Sequence, residues 1–172
     1  MAVFVTLGAS VWIVWALIAC SLPLLLLAWI PAAKSTEDHR ATPAAAREFV
    51  EAVVDRLAAT EPGDVGIPQP VIAEIAYGIE RLPRSKRRRT LQERFELVCS
   101  ELQRVEWTDA VSHAYGRIKA ALERRGTRIE DFDAAIAAHA FASGATLVTS
   151  NVDHMSRVPG LRVEDWSEQP RA

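Results

Sequence analysis

Acidic and polar side chains are concentrated around one apolar stretch near the end of the chain, Ala145–Thr149. Its length and composition predict a buried strand. Two carboxylates, Asp131 and Asp133, precede it at the start of an Ala-rich helix, and the loop after it carries three polar residues: Asn151, Asp153 and His154. Ligands bind where the strands of a parallel sheet end, so this loop lies where a site is expected. The two carboxylates reach the same edge only if the segment before them leads there.

A third carboxylate, Glu74, lies near the start of an apolar helix. Carboxylates crowded together raise one another's pKa, and a hard divalent cation such as Mg²⁺ or Mn²⁺ removes that penalty by accepting their oxygens as ligands. The residues alone leave simpler interpretations open. Asp131 and Asp133 can cap or charge the first turn of their helix, Glu74 can be an ordinary solvated helix residue, and Asp153 can cap a turn.

A basic run between residues 84 and 94 predicts contact with phosphate. It contains six cations: Arg84, Lys86, Arg87, Arg88, Arg89 and Arg94. The alternatives are a solvated helix face, since Glu93, Glu96 and Glu101 interleave further on, or contact with anionic lipid. His154 is a candidate for touching a substrate phosphate. His139 lies inside an apolar helix and is interpreted as a packed structural residue.

The whole chain has the size of one domain, with 172 residues and a formal net charge of -2. That balance gives no global basic field. Cys20 and Cys99 are far apart, which excludes a disulfide framework or a cysteine metal site and suits a reducing compartment. Neither a GxGxxG nor a P-loop pattern is present.

Hydrophobic spacing predicts helices that alternate with short strands, which is typical of an α/β fold with a mainly parallel sheet. The predicted helices are Ala44–Ala59, Val71–Arg81, a segment from the basic run to Leu102, a segment from Thr108 to Gly126, and the helix of Asp133. The predicted strands are Val65–Ile67, Val105–Trp107, Ala145–Thr149 and a closing strand before Trp166.

The first part of the chain has a different composition. Residues 1–33 contain an apolar run, Val3–Ile30, that is long enough to span a bilayer, and its first charged flank is Lys34. A membrane anchor is the first interpretation, with a signal peptide and a non-native start as alternatives. We therefore divide the chain into an apolar segment (1–33), a linker (34–43) and a domain (44–172).

Several motifs, in this order, resemble the PIN domain family, as in the VapC-like toxins of bacterial toxin–antitoxin pairs. Upstream is Ile72-Ala-Glu74-Ile-Ala-Tyr77-Gly78-Ile. The helix Asp133-Ala-Ala-Ile-Ala-Ala-His139-Ala follows, then the segment from Gly144 to Asn151, and then the segment from Arg157 to Trp166. The resemblance covers roughly residues 44 to 166.

The resemblance implies a three-layer α/β sandwich and a Mg²⁺-dependent (or Mn²⁺-dependent) endoribonuclease that hydrolyses RNA by metal-activated water. It assigns catalysis to Glu74, Asp133 and Asn151, and metal contact to Asp133 and Glu74, with Asp131 and Asp153 beside them. RNA contact falls to the basic run and His154. The implied partners are RNA, a cognate antitoxin and a second copy of the chain, and the implied location is cytoplasmic, with membrane attachment if the anchor exists.

The chain departs from the family at its beginning. A PIN domain starts with a buried strand that ends in a metal-binding Asp, and here that position falls near Asp38, after Lys34-Ser-Thr-Glu37. The alternative function is therefore a domain that binds RNA or an antitoxin without cleavage. Part of Val3–Ile30 can also pair into the sheet in place of the missing strand.

Overall fold

The computed structural model describes residues 4–6 and 43–166. Within these residues, five strands form one sheet: β1 (Phe4–Thr6), β2 (Val65–Pro68), β3 (Gln103–Val105), β4 (Thr146–Val148) and β5 (Arg162–Glu164). Their order across the sheet is β3-β2-β1-β4-β5, so the first strand lies in the middle.

Six α-helices lie in the described part of the chain and connect and cover these strands: α1 (Pro43–Ala58), α2 (Gln69–Glu80), α3 (Lys86–Glu101), α4 (Asp109–Arg124), α5 (Asp131–Ala142) and α6 (Val152–Met155). Side-chain oxygens cap the N-termini of α3 and α4. Ser85 accepts a hydrogen bond from the backbone N–H of Arg88, and Thr108 accepts one from the backbone N–H of Val111. Gly126, with a φ of 66°, follows the end of α4. The predicted cap at Thr108 and the predicted stop at Gly126 are confirmed.

The sheet is mainly parallel, as predicted, with one reversed strand at its centre. β2 pairs in parallel with β3, and β4 with β5, whereas β1 is antiparallel to both β2 and β4. β2, β3, β4 and β5 therefore all run in the same direction. Their carboxyl ends share one edge, which is where the topology collects ligand-binding residues.

The membrane-anchor interpretation fails for the described part of the apolar run. Phe4–Thr6 is a strand with neighbours on both sides, Val5 facing Gly66 on one and Leu147 on the other, so a helix from Val3 onwards is wrong there. Pairing into the sheet was the alternative, and these residues follow it. The rest of the run lies outside the described residues. Across residues 4–6 and 43–166, no helix combines the length and apolarity needed to cross a membrane.

The core lies between the sheet and helices α4 and α5. α5 is unusual because it is buried on all sides along most of its length, with Ile136 and its neighbouring alanines fully buried. Alanine side chains allow α4 and the sheet to approach closely, and Leu122, Leu147 and Met155 fill the remaining space. A smaller apolar cluster of Ile79, Leu91, Phe95 and Cys99 joins α2 to α3.

Two local predictions are corrected. The third strand is Gln103–Val105 and not Val105–Trp107, because Trp107 leaves the sheet and its indole Nε1 donates to Ser112 Oγ at 2.7 Å. The segment after β4, predicted as a loop, contains the one-turn helix α6. That helix brings His154 back toward the edge of the sheet.

Candidate metal-binding site

Asp133 is the most buried carboxylate of the site. It lies in the first turn of α5, and 9% of it is exposed. Burial raises the pKa of its carboxyl, because a charge loses hydration there, and the nearby charge of Glu130 raises it further, whereas His154 lowers it. The protein therefore holds an acid where ionisation is disfavoured, which is common at functional sites.

Glu74 lies on a different element from Asp133 and is affected electrostatically by it. It lies half-buried on α2, the helix that leaves the carboxyl end of β2 and packs against α5. The pKa of Glu74 is raised first by burial and then by the negative charge of Asp133. The two carboxylates are therefore close enough to repel each other, although they are 59 positions apart in the chain.

The loop after β4 reaches the same place. His154 Nδ1 lies 3.7 Å from Asp133 Oδ2, and Asn151 Nδ2 lies 3.2 Å from the same imidazole nitrogen. The start of α5 and the end of β4 thus share one edge of the sheet, which is the condition that the sequence left open. Asn151 is held in turn by its backbone N–H, which donates to Thr149 Oγ1 at 3.1 Å.

Asp131 and Asp153 are placed differently from Asp133. The side chain of Asp131 is 72% exposed and forms an ion pair with Lys119 on α4, which raises the pKa of that lysine. Because residues two apart on a helix point in different directions, Asp131 does not share the direction of Asp133. Asp153 lies exposed on α6. Their roles as metal ligands stay predictions.

The donor set fits a hard divalent cation in part. Two carboxylates with raised pKa values and one neighbouring amide offer oxygens, the ligands that Mg²⁺ and Mn²⁺ prefer. Within residues 4–6 and 43–166, however, no group of three or more His, Cys, Asp or Glu side chains is arranged to hold a metal ion. The described part of the site therefore supplies Glu74 and Asp133, with Asn151 beside them.

The basic run divides into two kinds of residue. Arg84, Lys86 and Arg87 are exposed at the start of α3. Arg88 is used within the fold, because it forms an ion pair with Glu80 at 2.5 Å and its Nη1 donates to the Glu80 and Leu82 carbonyls at 3.5 Å. Arg88 therefore links the start of α3 to the end of α2. This structural role is an alternative to its predicted contact with substrate.

Sequence reasoning missed an aromatic pocket beside the carboxylates. The pocket has a volume of about 420 Å³ and is lined by Trp107, Tyr115, Phe132 and their neighbours. The signal available in the sequence was Phe132, a large aromatic residue between two acids in the first turn of a helix. Trp107 gave no signal of this kind because it was assigned to a strand.

His139 lies behind the pocket, fully buried, as its interpretation as a packed residue requires. Its Nδ1 donates to the Ala135 carbonyl at 2.8 Å, because a carbonyl only accepts. Burial lowers the pKa of its imidazole, because a charged ring would lose hydration there. The Trp107 ring meets it edge-on, with centroids 5.2 Å apart and planes at 80°.

Comparison with known proteins places this site in a family context. The PIN domain family matches residues 39–161. Ribonuclease VapC2 of Rickettsia felis is 33% identical over 104 residues, which cover 60% of this chain and 75% of that protein. The tRNA(fMet)-specific endonuclease VapC of Salmonella typhimurium is 36% identical over 96 residues, covering 55% of this chain and 70% of that protein.

Solved structures are similar as well. VapBC2 from Rickettsia felis, bound to a DNA fragment from its promoter, aligns with a TM-score of 0.54 and 34% identity over 59% of this chain and 74% of that one. DNA-bound VapBC from Salmonella typhimurium aligns with a TM-score of 0.62 and 29% identity over 67% of this chain and 85% of that one.

Proposed function

The chain belongs to the PIN domain family as a VapC-like member, and from that premise we propose that it is the toxin of a toxin–antitoxin pair, a Mg²⁺-dependent or Mn²⁺-dependent endoribonuclease. The proposed residues are Glu74 and Asp133 as metal ligands, with Asn151 beside them. We place its action in the cytoplasm, where RNA is available.

One observation carries the proposal. Glu74 and Asp133 come from separate helices to one edge of the sheet, and burial raises the pKa of both carboxyls. Asp133 also raises the pKa of Glu74. Burying two acids close together lowers the stability of the fold, and neutral residues in their place would avoid the repulsion. A function that needs both carboxylates explains why they are there.

The remaining residues suit hydrolysis of a phosphodiester. A bound divalent cation supplies an activated water and neutralises charge that develops on the phosphate. His154, near Asp133 and partly exposed, uses Nδ1 for its contacts with Asp133 and Asn151, so Nε2 is the ring nitrogen that can donate a hydrogen bond to a phosphate oxygen. Asn151 holds the opposite nitrogen of that ring and so fixes its direction.

The exposed cations of the basic run support an RNA substrate. Lys86 and Arg87 lie in the first turn of α3, where a positive charge opposes the helix dipole and lowers the stability of the helix. A role in binding RNA phosphate would explain cations at this position. Glu80, at the end of α2, is six residues from Glu74, which is about 9 Å along the helix axis. Arg88 contacts Glu80, so the basic run begins within reach of an RNA backbone that crosses the carboxylates.

The proposed partners follow from the relatives. Since relatives are crystallised as VapBC complexes, we propose a cognate VapB-like antitoxin for this chain as well. By analogy with the family we also expect a homodimer. Co-expression with the reading frame beside its gene, followed by purification of a stable complex, tests the antitoxin.

The direct test is cleavage of RNA by the purified chain with Mg²⁺ or Mn²⁺ and with a chelator. Cleavage should require the metal, and Asp133→Asn should lower it at least 100-fold, since it removes a ligand of the proposed ion. Asp109→Asn is the matched control, because Asp109 is an exposed acid in the first turn of α4. Full activity in Asp133→Asn, or cleavage in the chelator, would contradict the assignment.

A second candidate is a domain that binds RNA or an antitoxin without cleaving. The observation that favours it is the middle strand, because Phe4-Val5-Thr6 brings no carboxylate to the sheet and runs opposite to its neighbours. RNA binding with no metal-dependent cleavage in the same assay would select this candidate.

A further inference from the structure

The aromatic pocket is lined by residues of α2 and α5, the two helices that also carry Glu74 and Asp133 of the proposed metal site. Its volume is about 420 Å³. The lining residues that matter here are Gln69, Ala73, Trp107, Tyr115, Asp131 and Phe132. Ala73 directly precedes Glu74 in α2, and Phe132 directly precedes Asp133 in α5. Glu74 and Asp133 do not line the pocket themselves, but because their direct neighbours in the chain do, a nucleotide next to a phosphate held at the two carboxylates can reach it.

Two aromatic rings of the pocket are exposed although they are large and apolar. Trp107 is 47% exposed and Phe132 is 49% exposed. Trp107 is nevertheless fixed in place, because its Nε1 donates to Ser112 and its ring contacts Tyr115, with centroids 5.9 Å apart, as well as His139. A ring that is held still before a ligand arrives loses little further freedom on binding, which favours stacking.

Polar groups at the pocket suit a nucleobase better than an aliphatic side chain. The carboxylate of Asp131 can accept a hydrogen bond from an exocyclic amino group, and the amide of Gln69 can donate or accept. Lys119 forms an ion pair with Asp131 and lies 5.4 Å from the centre of the Tyr115 ring. It offsets the negative charge of Asp131, which would otherwise repel RNA.

We propose that the aromatic pocket binds one unpaired base of a single-stranded RNA, next to the phosphate at Glu74 and Asp133, with Phe132 and Trp107 as the stacking surfaces. The inference rests on the proposed function in that the ligand is RNA. Stacking on aromatic residues tolerates every base, because each base has a π-face, so this pocket selects for an unpaired nucleotide more than for its identity. A base paired in a duplex cannot enter it.

The test measures binding separately from cleavage. Fluorescence anisotropy follows a short labelled single-stranded RNA on the full chain carrying Asp133→Asn, alone and combined with Phe132→Ala. Phe132→Ala should weaken binding about 5- to 150-fold, the loss expected for one stacked base. Phe141→Ala is the matched control, because Phe141 is a 39% exposed residue of the same helix whose ring lies near Gly160.

A second variant and a second RNA make the result specific. Phe132→Leu keeps an apolar side chain but removes the ring, so it should also weaken binding, while its melting temperature controls for folding. An RNA with one abasic nucleotide, moved along the sequence in turn, should bind more weakly at one position. That position effect should disappear in Phe132→Ala, because base and ring act as a pair.

Each outcome separates this inference from the proposed function. Equal RNA affinity in the Phe132→Ala and Phe141→Ala proteins overturns the base pocket, even if the wild-type chain cleaves RNA with Mg²⁺. A ring-dependent affinity without cleavage supports the pocket and contradicts the catalytic part of the proposed function. If Phe132→Ala loses the dimer but keeps its RNA affinity, the pocket is a contact between two copies of the chain, and the base-binding proposal is overturned. No RNA binding by any variant overturns both.

Discussion

Neutralising Asp133 should stabilise the protein, whereas neutralising Asp131 two residues earlier should destabilise it. Burial and the nearby charge of Glu130 raise the pKa of Asp133 more than His154 lowers it, so the charge of Asp133 costs the folded state free energy. Asp131 is exposed, begins the same helix and forms an ion pair with Lys119, so its charge contributes stability. Asn is nearly the same size as Asp, and the two substitutions therefore isolate charge.

The expected magnitudes are modest but of opposite sign. Removing one unfavourable charge should raise the free energy of unfolding by about 0.5–2 kcal/mol, the gain that is common for a single stabilising substitution. Asp133→Asn also loses an interaction with the helix dipole of about 0.3–1 kcal/mol, so a net gain of about 0.2–1 kcal/mol is expected. That raises the melting temperature by up to about 4 °C for a chain of this size. Asp131→Asn loses a dipole interaction, weakened by solvent screening, and should melt lower by about 1–2 °C.

The pH dependence gives the sign independently. An acid with a raised pKa binds its proton more tightly in the folded than in the unfolded chain, so it costs stability above its folded pKa and costs nothing below its unfolded pKa. The advantage of Asp133→Asn should be largest at neutral pH and vanish as the pH falls through the raised pKa. Thermal unfolding from pH 4 to 8 in chelator, followed by circular dichroism, measures this. An Asp133→Asn protein that melts below wild type at neutral pH would refute the electrostatic reasoning.

Three further predictions follow from the same structure. Mg²⁺ or Mn²⁺ at a hundred times its dissociation constant should raise the free energy of unfolding of the wild-type chain by about 2.7 kcal/mol and so raise its melting temperature. In the same scan the metal should leave the melting temperature of Asp133→Asn nearly unchanged. Leu147→Ala in the buried centre of β4 should cost about 2–5 kcal/mol in urea unfolding, and a cost below about 1 kcal/mol would contradict its place in the core. Val5→Pro should destabilise the protein strongly, because proline cannot donate to the ladder of a central strand, whereas Val5→Thr should be tolerated; equal melting temperatures would contradict the position of β1.

The arrangement of the fold was predictable where hydrophobic spacing was regular. Helices such as α4 have one apolar face and clear ends, so Thr108 and Gly126 marked its limits within a residue or two. α5 was recognised for a different reason. Its apolar residues face all sides because the helix is buried along most of its length, and it was predicted from its run of alanines after two acids, a segment that also carries the resemblance.

The position of Phe4–Thr6 could not be predicted in the same way. A long uncharged stretch satisfies the requirements of a membrane helix and of a buried strand equally well, and only the gap between β2 and β4 decides for the strand. The aromatic pocket was missed for a related reason. Trp107, Tyr115 and Phe132 come from three separate segments, and no local pattern relates residues that meet only after α4 and α5 have packed.

The composition of α5 explains how a carboxylate can be buried at the edge of the sheet. Alanines around the helix let it lie close to α4 and β4, and this close packing excludes water from Asp133, which raises its pKa. A bulkier residue at Ala134 or Ala137, both with no exposed surface, would push the helix away and admit water. The small side chains therefore do more than fill the core. They keep the site poorly hydrated, and a poorly hydrated pair of carboxylates gains most from a divalent cation.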